Sequence, residues 1–301
     1  MRSEAIVRCA PWLKVFVDAL PIALVALAIV FLAKALEPAP EPYRLQPVEF
    51  DAVEALESYF QALDYAWPPQ NGVPRVGVAR FPEGLEKASV NARKELFFRV
   101  MTPLVLAENA RIREKRARLQ TLLSRDRLAA NGQRELEELA ARYRIEGDLH
   151  NPEVREQLLR RVDEIPLGLA LAQAAKESGW GTSRFALEGN NLFGVWTWDE
   201  TQGMVPINRP EGATHLVRIF PDLQEAVRNY MHTLNTGRAY YPMRMERQRL
   251  RIQGELLDPL RLAGGLESYS ERGAPYVREL WVLIASNGLH RLDEYRLAPH
   301  E

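Results

Sequence analysis

Glu177 is the residue of this sequence best suited to acid chemistry. It lies near the end of the stretch Pro166-Leu-Gly-Leu-Ala-Leu-Ala-Gln-Ala-Ala-Lys-Glu-Ser-Gly-Trp-Gly181. Pro166 suits the first turn of a helix and Gly179 its end. Leu167, Leu171, Ala174, Ala175 and Ser178 fall on one stripe, made largely of small residues, so another element can approach closely. Ala170, Gln173 and Glu177 lie on an adjoining face. A carboxylate in the last turn meets the negative end of the helix dipole. Apolar surroundings also disfavour its charge, and both effects raise its pKa. A carboxyl group kept protonated near neutral pH can give its proton to a leaving oxygen, as cleavage of a glycosidic bond requires. The plainer reading is a solvent-facing Glu beside Lys176.

Downstream, Asn190 and Asn191 can hydrogen-bond backbone or sugar hydroxyls. Phe193, Trp196 and Trp198 offer flat apolar faces for pyranose rings, or they pack in a core; their closeness to Trp180 favours a groove. Residues 197–220 then change period. Val205 and Ile207 alternate, Arg209-Pro-Glu-Gly212 reads as a turn, and His215, Val217 and Ile219 alternate again, which predicts a β-hairpin between helices. A helix follows over residues 222–234, with Leu223, Ala226, Val227, Tyr230 and Leu234 as its apolar face.

The elements that hold these residues sit in a chain of 301 residues, 47% hydrophobic, long enough for one sizeable core or two smaller ones. Lys and Arg total 39 and Asp and Glu 40, a net charge of -1, which gives no sign of a nucleic-acid footprint. The single cysteine, Cys9, allows no internal disulfide and no multi-cysteine zinc site. The five histidines show no metal-binding spacing, so neither metal nor organic cofactor is expected.

Arg2, Arg8 and Lys14 precede an apolar run over residues 15–33, broken only by Asp18 and Pro21. Its length approaches the roughly 20 residues that span a bilayer, and the basic flank favours a cytoplasmic N-terminus. It reads as a signal-anchor helix in the inner membrane or, given Ala33-Lys34-Ala35, a cleavable signal peptide. The expected location is therefore periplasmic, membrane-anchored or released.

Four regions are expected: a signal-anchor or signal peptide (1–36), a linker and irregular region (37–88), a helical region (89–163) and the domain that carries the chemistry (164–301). Glu37-Pro-Ala-Pro-Glu-Pro42 is a semi-rigid spacer. A short amphipathic segment lies near residues 53–63, and Pro- and Gly-rich sequence follows. A long helical pattern runs over residues 89–123, with a kink or break expected near Thr102 because of Pro103. Its charged second half keeps Leu119, Leu122 and Leu123 as an apolar edge. Helices are expected over 131–143 and, opened by Asn151 as cap and Pro152 in the first turn, over 152–162.

Ala-x-x-Glu-Ser-Gly-Trp-Gly followed by Asn-Asn-Leu-Phe-Gly resembles glycoside hydrolase family 73, the peptidoglycan β-N-acetylglucosaminidases, and within it the Bax-like group. Four blocks carry the resemblance: residues 169–181, residues 190–194, residues 211–220 with Glu225, Ala226 and Tyr230, and residues 265–289 with Tyr269 and Tyr276. It implies a mainly α, lysozyme-like fold, in which a helical lobe and a small β-hairpin lobe flank a glycan groove. It also implies that Glu177 is the catalytic acid and that bacterial cell-wall glycan strands are the partner.

The second catalytic group is open. Many family members place a carboxylate in the hairpin, where the candidates are Asp199, Glu200 and Glu211; Glu211, in the Glu-Gly-Ala-Thr stretch, is favoured. The sequence lacks the Thr-x-Glu pattern of the flagellar-type enzymes, which leaves room for attack by the substrate's own acetamide. Tyr269 would then help to position that group. Trp180, Asn191, Phe193, Trp196 and Tyr240 are the candidate substrate-binding residues, with Tyr241 beside Tyr240. A muramidase, a lytic transglycosylase and a non-catalytic envelope scaffold stay open as alternatives. Protein partners are not indicated.

Overall fold

The computed structural model describes residues 41, 43–125, 127–207, 209, 212–292 and 294–299. The N-terminal apolar run and Glu211 lie outside the described residues. Among the described residues, no helix is long and apolar enough to cross a membrane.

The fold is mainly helical. In chain order the principal elements are β1 (Gln46–Val48), α1 (Val53–Ala62), β2 (Val76–Val78), α2 (Val90–Leu123), α3 (Ala130–Arg142), α4 (Pro152–Arg161), α5 (Leu167–Ser178) and α6 (Arg184–Gly189). They continue with β3 (Trp196–Thr197), β4 (Gly203–Met204), β5 (Leu216–Arg218), α7 (Leu223–Thr236), α8 (Tyr241–Gln253), α9 (Pro259–Ala263) and α10 (Ala274–Ser286).

The Ala-rich helix α5 is the centre. Residues 167–175 are buried on every face, and α2, α9 and α10 pack around it. Gly168 shows how tight this is: an added Cβ would lie 2.2 Å from the Leu289 carbonyl oxygen, so no larger residue fits without moving backbone.

Helix α2 joins two cores. Its first half packs with α1, α5 and α7 in the main cluster; Leu119 and Leu122 in its second half pack with α3 and α4 in a smaller one. Ser89 caps it by accepting from the Ala92 amide. Contrary to expectation, the helix is continuous through Pro103. Proline has no N–H to give the Arg99 carbonyl; the Tyr65 hydroxyl donates to that oxygen instead, at 3.2 Å. A tyrosine from outside the helix thus supplies the lost donor.

The segment read as linker and irregular sequence contributes more structure than expected. The short amphipathic segment forms helix α1, and β1 and β2 pair in parallel, Gln46 with Val76 and Val48 with Val78. Leu56, Phe60, Val76 and Val78 belong to the main core. The predicted hairpin is instead a three-stranded antiparallel sheet in the order β3-β5-β4. Val205 and Ile207 stand exposed outside it, whereas Leu216 and Val217 are buried. The expected alternation therefore fails: Val205, Ile207 and Ile219 are exposed, two consecutive residues of β5 are buried, and such short strands carry too little pattern to specify the pairing.

Candidate active site

The last turn of α5 sets the site. Gly179, Trp180 and Gly181 follow Glu177 with φ values of +59°, +63° and +78°, so the chain turns away sharply. The Ser178 hydroxyl donates to the Ala174 carbonyl at 2.6 Å and accepts from the Gly181 amide at 2.8 Å. A left-handed tryptophan is unusual and needs support from its surroundings. Here the Trp180 ring meets Phe97 and Phe98 edge-on, at 5.7 and 5.4 Å, and Lys94 lies 4.8 Å from its centroid. Trp180 therefore fixes the turn against α2.

Glu177 is half-buried, and its Oε1 is shielded from solvent with no hydrogen-bond partner among the described residues. It forms no ion pair among the described residues; the neighbouring Lys176 turns to Glu279, which also holds Arg272. Burial pushes the Glu177 carboxyl above the ordinary glutamate value, against smaller opposing effects of a Tyr276 hydrogen bond and the Lys176 charge. The position at the helix C-terminus acts in the same direction as burial.

Aromatic hydroxyls surround this acid. Tyr230 donates to Gln173 Oε1 at 2.7 Å, and Gln173 Nε2 donates to the Tyr276 oxygen at 2.9 Å. The amide of Gln173 orients the chain: Tyr276 accepts from it, so the Tyr276 proton is free to point at Glu177. Tyr269 stacks on Tyr276 with centroids 5.5 Å apart and donates to the Phe193 carbonyl at 3.2 Å. Tyr240 lies 5.8 Å from the Tyr269 ring. Burial drives the pKa of Tyr230, Tyr240, Tyr269 and Tyr276 above that of free tyrosine, so all four stay neutral.

Other residues singled out in the sequence are placed differently. Phe193 is only 5% exposed and stacks on Tyr230 at 4.0 Å, which makes it core rather than a sugar platform. Asn191 shapes the turn: its side chain donates to the Val195 and Arg218 carbonyls and accepts from the Val195 amide, at 2.8–3.0 Å. Asn190 is the left-handed cap of α6 and donates to the Phe220 carbonyl. Trp196 is 55% exposed and stacks on His215 at 4.2 Å; Trp198 is 69% exposed. These two rings, on and beside the small sheet, are the open aromatic surfaces of the segment. Tyr241 lies under Arg160, not in the tyrosine cluster.

Asp199 caps the short helical turn after β3, accepting from the Thr201 amide and hydroxyl, and is held below the ordinary aspartate value by those two bonds. Glu200 is exposed. Gln173 was visible in the sequence only as a member of a helical face, and Tyr230 as part of a helical face and of one block of the family resemblance; Gln173 lies one turn before Glu177, a spacing that puts both on the same side. Among the described residues no cluster could hold a metal ion.

A mainly helical body that shields one carboxyl beside a set of tyrosines agrees with what the chain resembles. Residues 154–276 match the family model described as mannosyl-glycoprotein endo-beta-N-acetylglucosaminidase. The chain is also similar to Protein bax of Escherichia coli strain K12, 29% identical over 207 residues that cover 68% of this chain and 74% of that protein. No solved structure matches it. Residues 154–276 thus match a glucosaminidase domain, and the chain resembles the Bax-like, family 73 type, a resemblance that points at family level to a glycan hydrolase.

Proposed function

We propose that the chain hydrolyses the glycan strands of bacterial peptidoglycan at the β-1,4 bond after N-acetylglucosamine, with Glu177 as general acid. The observation that carries this is the Glu177 carboxyl: shielded, unpaired, raised in pKa and approached by Tyr276. A protonated Oε1 has an O–H to give, and no protein acceptor among the described residues competes for it. As the proton leaves for the glycosidic oxygen, the carboxylate that forms is met by the Tyr276 hydroxyl and the Lys176 charge. The tyrosine cluster would support one side of a lysozyme-like groove, and Trp196 and Trp198 would offer ring faces to sugars on the other.

The charged and polar groups that act on Glu177 are Tyr276 and Lys176. Within the described residues, which leave out Glu211, no carboxylate is among them; attack by the substrate's 2-acetamido group is in keeping with that. Glu211, acting through water, is the alternative partner. A lytic transglycosylase, which works with a single acid/base, fits the same observation. A cell-wall substrate requires export, a role in keeping with the basic residues and apolar run at the N-terminus.

Mass spectrometry of digested sacculi tests the assignment. The proposal predicts fragments with N-acetylglucosamine at the reducing end. Anhydro-muramyl ends would establish the transglycosylase, and reducing-end muramic acid a muramidase. Binding to sacculi with no release of fragments would leave only a glycan-binding scaffold.

A further inference from the structure

Away from Glu177, α2, α3 and α7 enclose two adjoining cavities of about 590 and 200 Å3, which share Arg111, Lys115 and Arg142 as walls. The smaller one brings four cationic side chains, Arg111, Lys115, Arg142 and Arg228, against two carboxylates, Glu108 and Glu225. Both carboxylates are already engaged. Glu108 lies 3.6 Å from Arg111 and 3.3 Å from Arg228, and Glu225 also pairs with Arg228. Among the described residues, Lys115 and Arg142 have no carboxylate at ion-pair distance. His232 adds no charge, because burial and the cations nearby hold its pKa below the ordinary histidine value.

The same small cavity gathers buried polar atoms that lack hydrogen-bond partners among the described residues: Asn229 Oδ1, Asn235 Oδ1 and Arg111 Nη1, the last held only by its longer ion-pair contact to Glu108. The Asn235 amide nitrogen is committed to the Asp163 carbonyl at 2.9 Å, which fixes its oxygen toward the remaining space. Buried polar groups left unpaired are costly. One cation and two acceptors together call for a group that is negative and also donates hydrogen bonds.

We propose that this cavity binds a small anion bearing hydroxyl groups, with Lys115, Arg142 and Arg111 taking the charge and Asn229 and Asn235 accepting from the hydroxyls. Sugar phosphates and sugar carboxylates share that chemistry. The Lys115 ammonium supports the assignment independently. Burial, then the charges of Arg111, Arg142 and Arg228, outweigh Glu108 and pull its pKa down to about 8. An anion in the cavity would relieve that repulsion.

Calorimetric titration of the whole protein at low salt, with glucose 6-phosphate, glucuronate, glucose and inorganic phosphate, tests this. Glucose 6-phosphate or glucuronate should bind saturably, the tighter of the two identifying the anion source, and glucose should not bind. Lys115→Gln and Arg142→Gln should each weaken binding by about tenfold, the loss of one charge-assisted contact, with an unchanged Tm showing intact folding. No saturable binding of either sugar anion, or binding indifferent to both substitutions, would overturn the proposal. Inorganic phosphate binding as tightly as glucose 6-phosphate would overturn the part given to Asn229 and Asn235.

Discussion

One fully buried and one half-buried carboxyl group flank the central helix, and the protein treats them in opposite ways. Asp163 precedes α5, and Glu177 sits in its last turn. Asp163 is 2% exposed yet surrounded by guanidinium groups: Arg251 at 2.9 Å, Arg116 at 3.7 Å and Arg247 at 3.8 Å. Burial works to raise its pKa, but the charges of Arg247, Arg251 and Arg116 together outweigh burial and leave it below the ordinary aspartate value. Arg247, itself fully buried, also donates to the carbonyls of Arg160, Asp163 and Glu164. This ion cluster joins the end of α4, the entry to α5 and α8. Among the described residues no arginine acts on Glu177, and only a tyrosine and a partly buried lysine act against its burial. Burial alone therefore does not decide charge; the partners supplied do. One acid is held ionised to build the frame, and the other is left ready to carry a proton.

The largest effect expected from breaking this contrast is on catalysis. Glu177→Gln keeps the shape and removes the acid, so lytic activity in a zymogram should fall by about a thousandfold or more. Next is the frame. Asp163→Asn leaves buried guanidinium groups without their counter-charge and should cost about 3–5 kcal/mol in denaturant unfolding. Because the folded pKa of Asp163 lies below its unfolded value, its stabilisation is present above the ordinary aspartate range and is lost as pH falls through the folded value. The penalty of Asp163→Asn should accordingly shrink in acid.

The two sites should also differ in the sign of their pH dependence. Glu177 is raised in the folded state, so its ionisation weakens folding at pH values above the folded pKa and has no effect below the unfolded one. Glu177→Gln should thus be neutral or stabilising at pH 7, and any gain in Tm should vanish near pH 4. A loss of stability at pH 7 would instead mean that the carboxylate makes favourable contacts. The smallest effect is expected from Tyr276→Phe. Losing a hydrogen bond to the carboxylate should move the alkaline limb of the pH–activity profile upward, by less than about one pH unit for a bond worth ~1 kcal/mol.

Which parts were legible in the sequence follows the range of the interactions. Helix α5 and the placing of Glu177 in its last turn were readable because Pro166, Gly179 and a stripe of small residues are local signals. The Asn151 cap and Pro152 were readable for the same reason, and Asn151 accepts from the Glu153 amide as expected. The partners of Glu177 were not readable as partners. Gln173 bonds to Tyr230 and Tyr276 across 57 and 103 residues of chain. Arg247 reads as a surface residue among the many charges of α8, yet it is fully buried. Tyr65 gives no hint in its own neighbourhood that it serves the carbonyl left bare by Pro103. The parallel pairing of β1 with β2 rests on two three-residue strands, too short for an alternation to mark. Phe193 looked like a sugar platform because an aromatic ring in a Gly- and Asn-rich turn carries no sign of Tyr230 waiting to cover it.

Acid catalysis at this site depends on Glu177 being protonated where an ordinary glutamate would be ionised. Carbon-13 NMR titration of side-chain carboxyls, with Glu177→Gln identifying the signal, measures this directly. The midpoint should lie above the ordinary glutamate value of 4.5, and in Tyr276→Phe it should lie higher still. A midpoint at or below 4.5 would show a carboxylate already ionised in the resting protein and would contradict its role as the acid.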